Sequence, residues 1–151
     1  MAKKFNFKLD PVLKLRTYRV KEAKEDLGKT VSKRVSTETE IQNKRDYLDT
    51  FIKSKKGRQA ASELQNQWNH KEFVENQIEK LNREREELLK LEDKKRIVLE
   101  NAMKKEKAIE KLKEKRKSDY HESIYKEETK ELDEIGRNMK RFNKEIKKDE
   151  P

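Results

Sequence analysis

Residues 73–89 read FVENQIEKLNREREELL, and residues 132–146 read LDEIGRNMKRFNKEI. In both stretches apolar residues recur at intervals of three and four, which is typical of a helix packing along one face against another helix. No proline lies between Phe73 and Ile146, and Gly136 is the only glycine there. An unbroken helix over this range would be about 110 Å long. Because such a helix cannot bury its apolar face alone, the sequence predicts a helical partner for it.

The composition excludes an ordinary globular core. Of the 151 residues, 48% are charged and 30% are hydrophobic, whereas an average domain has about 25% charged and about 45–50% apolar residues. A coiled coil needs apolar residues on only one face, and the periodicity favours it over disorder. The chain has no cysteine, which excludes disulfides and thiolate metal sites. The charged N-terminus lacks a continuous apolar run, so we expect no signal peptide and a soluble, intracellular protein.

The first half of the chain supplies the partner helix. Asp10-Pro11 resembles a helix start, with Asp as the N-cap and Pro at the first helical position. Gly57 suits a helix C-terminus. We therefore predict an all-α fold, a long antiparallel two-helix coiled-coil hairpin that forms a single domain over residues 1–151. Its predicted parts are a first helix at about 10–53, a turn at about 54–69 with a short helical piece at 60–64, and a second helix at about 70–148.

Two details of this hairpin are predicted from single residues. The spacing of Leu27, Val31 and Val35, two steps of four, departs from a strict heptad and predicts local unwinding of the supercoil. Trp68 and Phe73 lie beside the turn, where they are expected to cap the hairpin core, with contact to a partner as the alternative.

The second helix is longer than the first, so its end is left without a partner. Residues from about 118 to 148 still carry apolar residues at helical spacing. An uncovered apolar stripe of this kind predicts a binding surface or a segment that folds on binding.

No catalytic or metal-binding arrangement is present. Residues 23–30 end in Gly-Lys-Thr like a phosphate-binding loop, but Glu25 and Asp26 lie inside the segment and no apolar strand precedes it. His70 and His121 are isolated from each other, and the carboxylates lie among lysines on helix faces that we expect to be solvated. We therefore expect no enzyme activity, no cofactor, no metal and no small-molecule substrate.

The net charge of +10 is concentrated at the N-terminus. Residues 1–35 carry 11 Lys and Arg against 4 Asp and Glu, whereas residues 71–110 carry 11 of each. A basic coiled coil that binds nucleic acid or an anionic membrane is therefore one alternative. Nucleic acid is disfavoured as a partner because few aromatics interleave the basic residues and no DNA-binding motif is present. A second alternative is a structural homodimer formed through the uncovered stripe.

The N-terminal pattern Phe5-x-Phe7-x-Leu9-x-x-Val12-Leu13-x-x-Arg16, followed by Glu22-Ala23 and Leu27, resembles the opening of the FliJ family of flagellar export proteins. The length, the break near Gly57 and the entry into a long second helix are similar as well. The resemblance implies an antiparallel coiled coil like the γ-subunit stalk of rotary ATP synthases. It implies three partners, namely the export ATPase FliI, the export-gate protein FlhA and export chaperones. It also implies a cytoplasmic location, peripheral to the inner face of the cell membrane at the flagellar base.

The resemblance also implies two contact surfaces. The face toward the export gate lies near the start of the second helix and comprises Phe73, Val74, Ile78, Leu81 and Arg85. The part entering the ATPase ring lies at the paired helix ends away from the turn and comprises Val12, Leu13, Arg16, Val20, Leu132, Ile135, Met139, Phe142 and Ile146.

Overall fold

The computed structural model describes residues 4–55 and 57–146, and the predicted all-α two-helix hairpin is confirmed. Helix α1 spans Asp10–Ser54 and helix α2 spans Ala61–Ile146. No strand occurs within those described residues. Neither described helix contains a stretch long and apolar enough to cross a membrane.

Helix α1 begins one residue earlier than an N-cap at Asp10 would require. The backbone N–H of Leu13 donates to the carbonyl of Leu9 at 2.9 Å, so Leu9 occupies the capping position and Asp10 the first turn. Pro11 is tolerated there because the first-turn N–H groups have no partner within the helix. The Asp10 carboxylate instead accepts a hydrogen bond from Lys113 Nζ at 2.8 Å. Its negative charge also suits the positive end of the helix dipole.

The connection between the helices is shorter than predicted. Gly57 has φ 138°, a backbone conformation that disfavours side chains, which explains a glycine at this point. The backbone N–H groups of Glu63 and Leu64 both donate to the carbonyl of Ala60, at 3.0 and 3.1 Å. Helix α2 therefore begins at Ala61 rather than near residue 70, and the helical piece expected at residues 60–64 is its first turn. Residues 61–69 contain neither glycine nor proline, so nothing in that sequence interrupts the helix.

The described part of the chain forms two compact units, one within residues 16–104 and one of residues 4–15 with 105–146. Within residues 16–104 the two helices run antiparallel. As the residue number of the contact on α1 increases, the number of its partner on α2 decreases. The hydrogen bonds that show this join Arg34 to Glu92, Lys44 to Gln77, and Tyr47 to His70.

The core of residues 16–104 follows a heptad spacing that passes through polar residues. The buried positions on α1 are Val20, Thr30, Thr37, Ile41 and Leu48, and those on α2 are Val74, Leu88 and Glu92.

The predicted irregular step at Val35 is wrong, because Val35 is 49% exposed and lies outside this core. Thr30 and Thr37 take the core positions instead. Their hydroxyls donate to the carbonyls of Asp26 and Lys33, four residues earlier, at 3.1 and 3.0 Å. These bonds satisfy the polar atoms of the threonines and leave their methyl groups to pack. A search for apolar residues alone misses such positions.

The other unit packs the N-terminal arm, residues 4–9, against α2. Phe7 is 6% exposed, and Lys113 Nζ lies 5.9 Å from the centre of its ring. The Phe5 ring packs against Tyr120 with centroids 5.5 Å apart. These contacts cover α2 as far as Tyr120, and they explain why aromatic residues alternate with polar ones in the arm.

Candidate partner-binding surfaces

An uncovered apolar stripe runs along the end of helix α2. Its members are spaced by seven, three and four residues, the spacing of a coiled-coil seam, and each is between 50% and 70% exposed. We call this set the C-terminal stripe; it comprises Tyr125, Leu132, Ile135, Met139, Phe142 and Ile146. Tyr125 is not among the residues predicted to enter the ATPase ring. It lies seven residues before Leu132, and this heptad spacing would have indicated it from the sequence. Isolated exposed apolar residues are common, but a continuous heptad of them indicates a helix–helix interface.

The flanks of the C-terminal stripe differ in chemistry. Glu131 and Glu145 lie on one side, one residue before Leu132 and Ile146, while Gly136 and Asn143 follow Ile135 and Phe142 on the other. In a coiled coil these flanking positions contact the partner helix and choose its charge. The small and neutral side permits close approach, and the acidic side favours a partner with basic residues.

The remaining residues predicted to meet the ATPase ring are less accessible. Val12 and Leu13, in the same unit as the stripe, are half-buried. In the unit of residues 16–104, Arg16 is half-buried and Val20 is only 6% exposed. A partner therefore finds the α2 residues of the predicted set open and those on α1 largely covered.

The predicted gate-contacting face is exposed at only one residue. Phe73 is 59% exposed, whereas Val74 is 5% exposed and contributes to the core between the helices. Ile78, Leu81 and Arg85 are half-buried. The Nε atom of Arg85 is buried and has no hydrogen-bond partner among the described residues. Only Phe73 presents a large apolar surface to a partner, while Val74 supports the helix that carries it.

Trp68 does not cap the hairpin core, because 62% of it is exposed. It lines a groove beside the turn with a volume of about 210 Å³, and Lys71 Nζ lies 5.5 Å from the centre of its ring. We call this the turn groove; its lining residues are Phe51, Ile52, Lys55, Leu64, Gln67, Trp68 and Lys71.

An aromatic cluster closes the core near the turn in place of Trp68. The rings of Tyr47 and Phe51 stack with centroids 6.1 Å apart, and both meet the His70 ring edge-on. The Tyr47 hydroxyl is 2.8 Å from His70 Nε2. His70 therefore has a structural partner, Tyr47, on the other helix.

An ionic cluster surrounds a buried carboxylate in the core of residues 16–104. Glu92 is 3% exposed and accepts a hydrogen bond from Arg34 Nε at 2.7 Å and from Arg96 at 2.6 Å. Arg34 also donates to both carboxylate oxygens of Glu38, at 3.0 and 2.9 Å. We call Arg34, Glu38, Glu92 and Arg96 the polar cluster. The sequence signal for it is the position of Arg34, seven residues after Leu27 and seven before Ile41.

The polar cluster favours the charged form of Arg34. Its hydrogen bond to Glu92, followed by that to Glu38, raises the pKa of Arg34 above its ordinary value, against the opposing effect of burial. A charged layer within a seam of apolar and threonine side chains is satisfied in only one alignment of the two helices, so it fixes their register. Its role is structural, because both carboxylates are occupied by arginine side chains.

The surfaces described above consist of exposed apolar, aromatic and basic side chains. Among residues 4–55 and 57–146, no group of three or more His, Asp or Glu side chains could hold a metal ion. The surfaces offer exposed aromatics, aliphatic side chains and lysines, which recognise other macromolecules.

The chain matches one known family. A sequence profile of the family described as "Flagellar FliJ protein" matches residues 5–146, nearly the whole chain. No curated protein and no solved structure matched the chain. The match confirms the resemblance given by residues 5–16 and 22–27.

Proposed function

Because this chain belongs to the FliJ family of flagellar export proteins, a non-catalytic family, we propose that it bridges the export ATPase ring and the export gate. In this role it contacts the ATPase FliI and the gate protein FlhA, and it escorts export chaperones. It acts in the cytoplasm, at the inner face of the cell membrane at the flagellar base. The observation that carries the proposal is a family match from residue 5 to 146 on a helix pair whose second member ends in an uncovered heptad stripe.

The C-terminal stripe supports a contact with the ATPase ring. Leu132, Met139 and Phe142 are each more than 60% exposed, and their heptad spacing presents one continuous apolar edge. A ring of ATPase subunits offers a central opening that a helix end can enter, and apolar contact there is non-directional. The stripe can therefore hold the helix in the opening while the subunits around it change conformation.

The ATPase contact is tested by turnover of the purified export ATPase with and without this chain. We expect the intact chain to raise the turnover rate and Phe142→Glu to lower that stimulation at least tenfold. Because Phe142 is 63% exposed, the substitution should leave the helical circular dichroism signal unchanged. Leu91→Glu is the matched control, since Leu91 is 41% exposed on the same helix but lies outside the stripe. Equal loss in both variants, or stimulation that survives Phe142→Glu, would contradict a role for the stripe.

The gate contact rests on the exposed Phe73 ring. Aromatic residues that stand clear of a surface often anchor interfaces, and Phe73 is 59% exposed. We expect Phe73→Glu to weaken binding to the cytoplasmic part of FlhA at least tenfold without loss of helicity. Val74→Glu serves as the contrast, because it buries a charge in a position that is 5% exposed and should lower helicity and thermal stability. Gate binding that is indifferent to Phe73→Glu would remove this residue from the interface.

A further inference from the structure

We propose that the turn groove binds an acidic amphipathic helix of a partner protein. The groove lies in the unit of residues 16–104 and is separate from Phe73 and the C-terminal stripe. The proposal is independent of the export-bridging function.

The groove presents an apolar floor to solvent. Phe51 and Ile52 line it from α1, and Leu64 and Trp68 line it from α2. Ile52 is 49% exposed, Leu64 54% and Trp68 62%. Three large apolar side chains left open around one concave surface are more than an isolated exposed residue, and indicate a site where another apolar surface packs.

The rim of the groove has one sign of charge. Among the described residues, Lys55 and Lys71 are its charged lining residues, and no carboxylate lines it. Lys71 reaches Glu75 only at 3.6 Å, a long surface pair that competes weakly with a new partner. An acidic segment is the complementary occupant, because a basic one would place like charges at the lysines.

The spacing along α2 indicates that the occupant is helical. Leu64, Trp68 and Lys71 follow one another at intervals of four and three, so they form a stripe along one face of the helix. The stripe extends about 10 Å along the axis, enough for about two turns of a helix packed alongside. The partner would place apolar residues at helical spacing against Leu64 and Trp68 and its carboxylates against the two lysines.

Binding in the groove can be measured by the fluorescence of Trp68. Trp68 is the only tryptophan in the sequence, so fluorescence excited selectively at tryptophan reports on the groove. The probe is a synthetic amphipathic peptide of about four helical turns, with leucines on one face and glutamates and glutamines elsewhere. Its matched control is the same peptide with lysine in place of each glutamate. We expect the acidic peptide to shift the Trp68 emission to shorter wavelength in a saturable manner, with an affinity that falls as salt rises.

Two variants and their controls assign the binding to the groove. Leu64→Glu is expected to weaken the acidic peptide at least tenfold, with Leu91→Glu as the control at another exposed leucine of α2. The double variant Lys55→Glu with Lys71→Glu reverses the charge of the rim and leaves the apolar floor in place. We expect it to weaken binding of the acidic peptide to a similar extent. Lys80→Glu with Lys90→Glu is its control, since both lysines are exposed and neither lines the groove.

The proposal is overturned if the acidic peptide gives no saturable shift, if the basic peptide binds as tightly, or if neither groove variant weakens binding. A shift produced by anionic lipid vesicles but not by the acidic peptide would also overturn it and assign the groove to a membrane surface. Because Leu64 lies outside the ATPase and gate surfaces, Leu64→Glu should retain ATPase stimulation, which separates a failure here from a failure of the proposed function.

Discussion

At the scale of single residues, the core of residues 16–104 contains a buried carboxylate among apolar side chains. Glu92 is more deeply buried than Leu88 or Val74, at 3% exposed against 7% and 5%. Burial of a carboxylate is unfavourable unless it is paired and hydrogen-bonded. Arg34 and Arg96 provide that pairing. Replacing Glu92 alone should therefore destabilise the fold more than replacing Glu92 and Arg34 together.

The polar cluster gives the first prediction. Glu92→Ala leaves Arg34 without its partner on the other helix and should lower the free energy of unfolding by about 2–3 kcal/mol. Combining Glu92→Leu with Arg34→Met removes both charges and should restore part of that loss. Urea unfolding followed by circular dichroism measures both variants.

A surface pair provides the control for this prediction. Lys33 and Glu84 also join the two helices, but at 3.8 Å and with side chains 67% and 47% exposed. Glu84→Ala should therefore change stability by less than about 0.5 kcal/mol. If Glu92→Ala were no more destabilising than Glu84→Ala, the polar cluster would have no role in stability.

At the scale of the helices, the end of α1 and the start of α2 lie on either side of Gly57, which has a positive φ. Gly28 lies inside α1 and Gly57 lies between the helices. An added Cβ would meet no atom within 4 Å at either position. The two glycines differ only in backbone conformation, since Gly57 alone has a positive φ.

Alanine substitutions should therefore act in opposite directions at these glycines. Gly28→Ala should stabilise the fold by about 0.5–1 kcal/mol, because alanine is the better helix former. Gly57→Ala should destabilise it by about 1 kcal/mol or more, since φ 138° is strained for a residue with a side chain. Thermal unfolding of the two variants tests this prediction, and a stabilising Gly57→Ala would show that the turn does not need its glycine.

The sequence predicts these helices well and their interior less well. Apolar spacing of three and four correctly indicated two packed helices, because that periodicity is a direct consequence of helix geometry. It misplaced the start of α2 because residues 61–69 are mostly polar yet compatible with a helix. It also missed Thr30 and Thr37 in the core, because their hydroxyls are satisfied by carbonyls of their own helix. It missed the bond from Arg34 to Glu92, because that bond forms only when the two helices pack.

At the scale of the whole molecule, the chain combines a basic N-terminal part with an apolar C-terminal stripe. Of the net charge of +10, residues 1–35 carry +7. The candidate surfaces were partly predictable. Because α2 is longer than α1, the apolar residues from Leu132 to Ile146 repeat at helical spacing where no part of α1 remains to cover them. Which of Phe73 and Val74 is exposed was not predicted, because neighbouring apolar residues of one helix differ in their orientation toward α1.

The central claim is that the C-terminal stripe is the surface that engages the export ATPase, and hydrogen exchange tests it most directly. In the free chain, backbone amides of residues 125–146 should exchange faster than those of residues 74–92, which pack against α1. On addition of the purified ATPase, residues 125–146 should become protected while residues 74–92 change little. ATPase binding without new protection at residues 125–146 would contradict the claim.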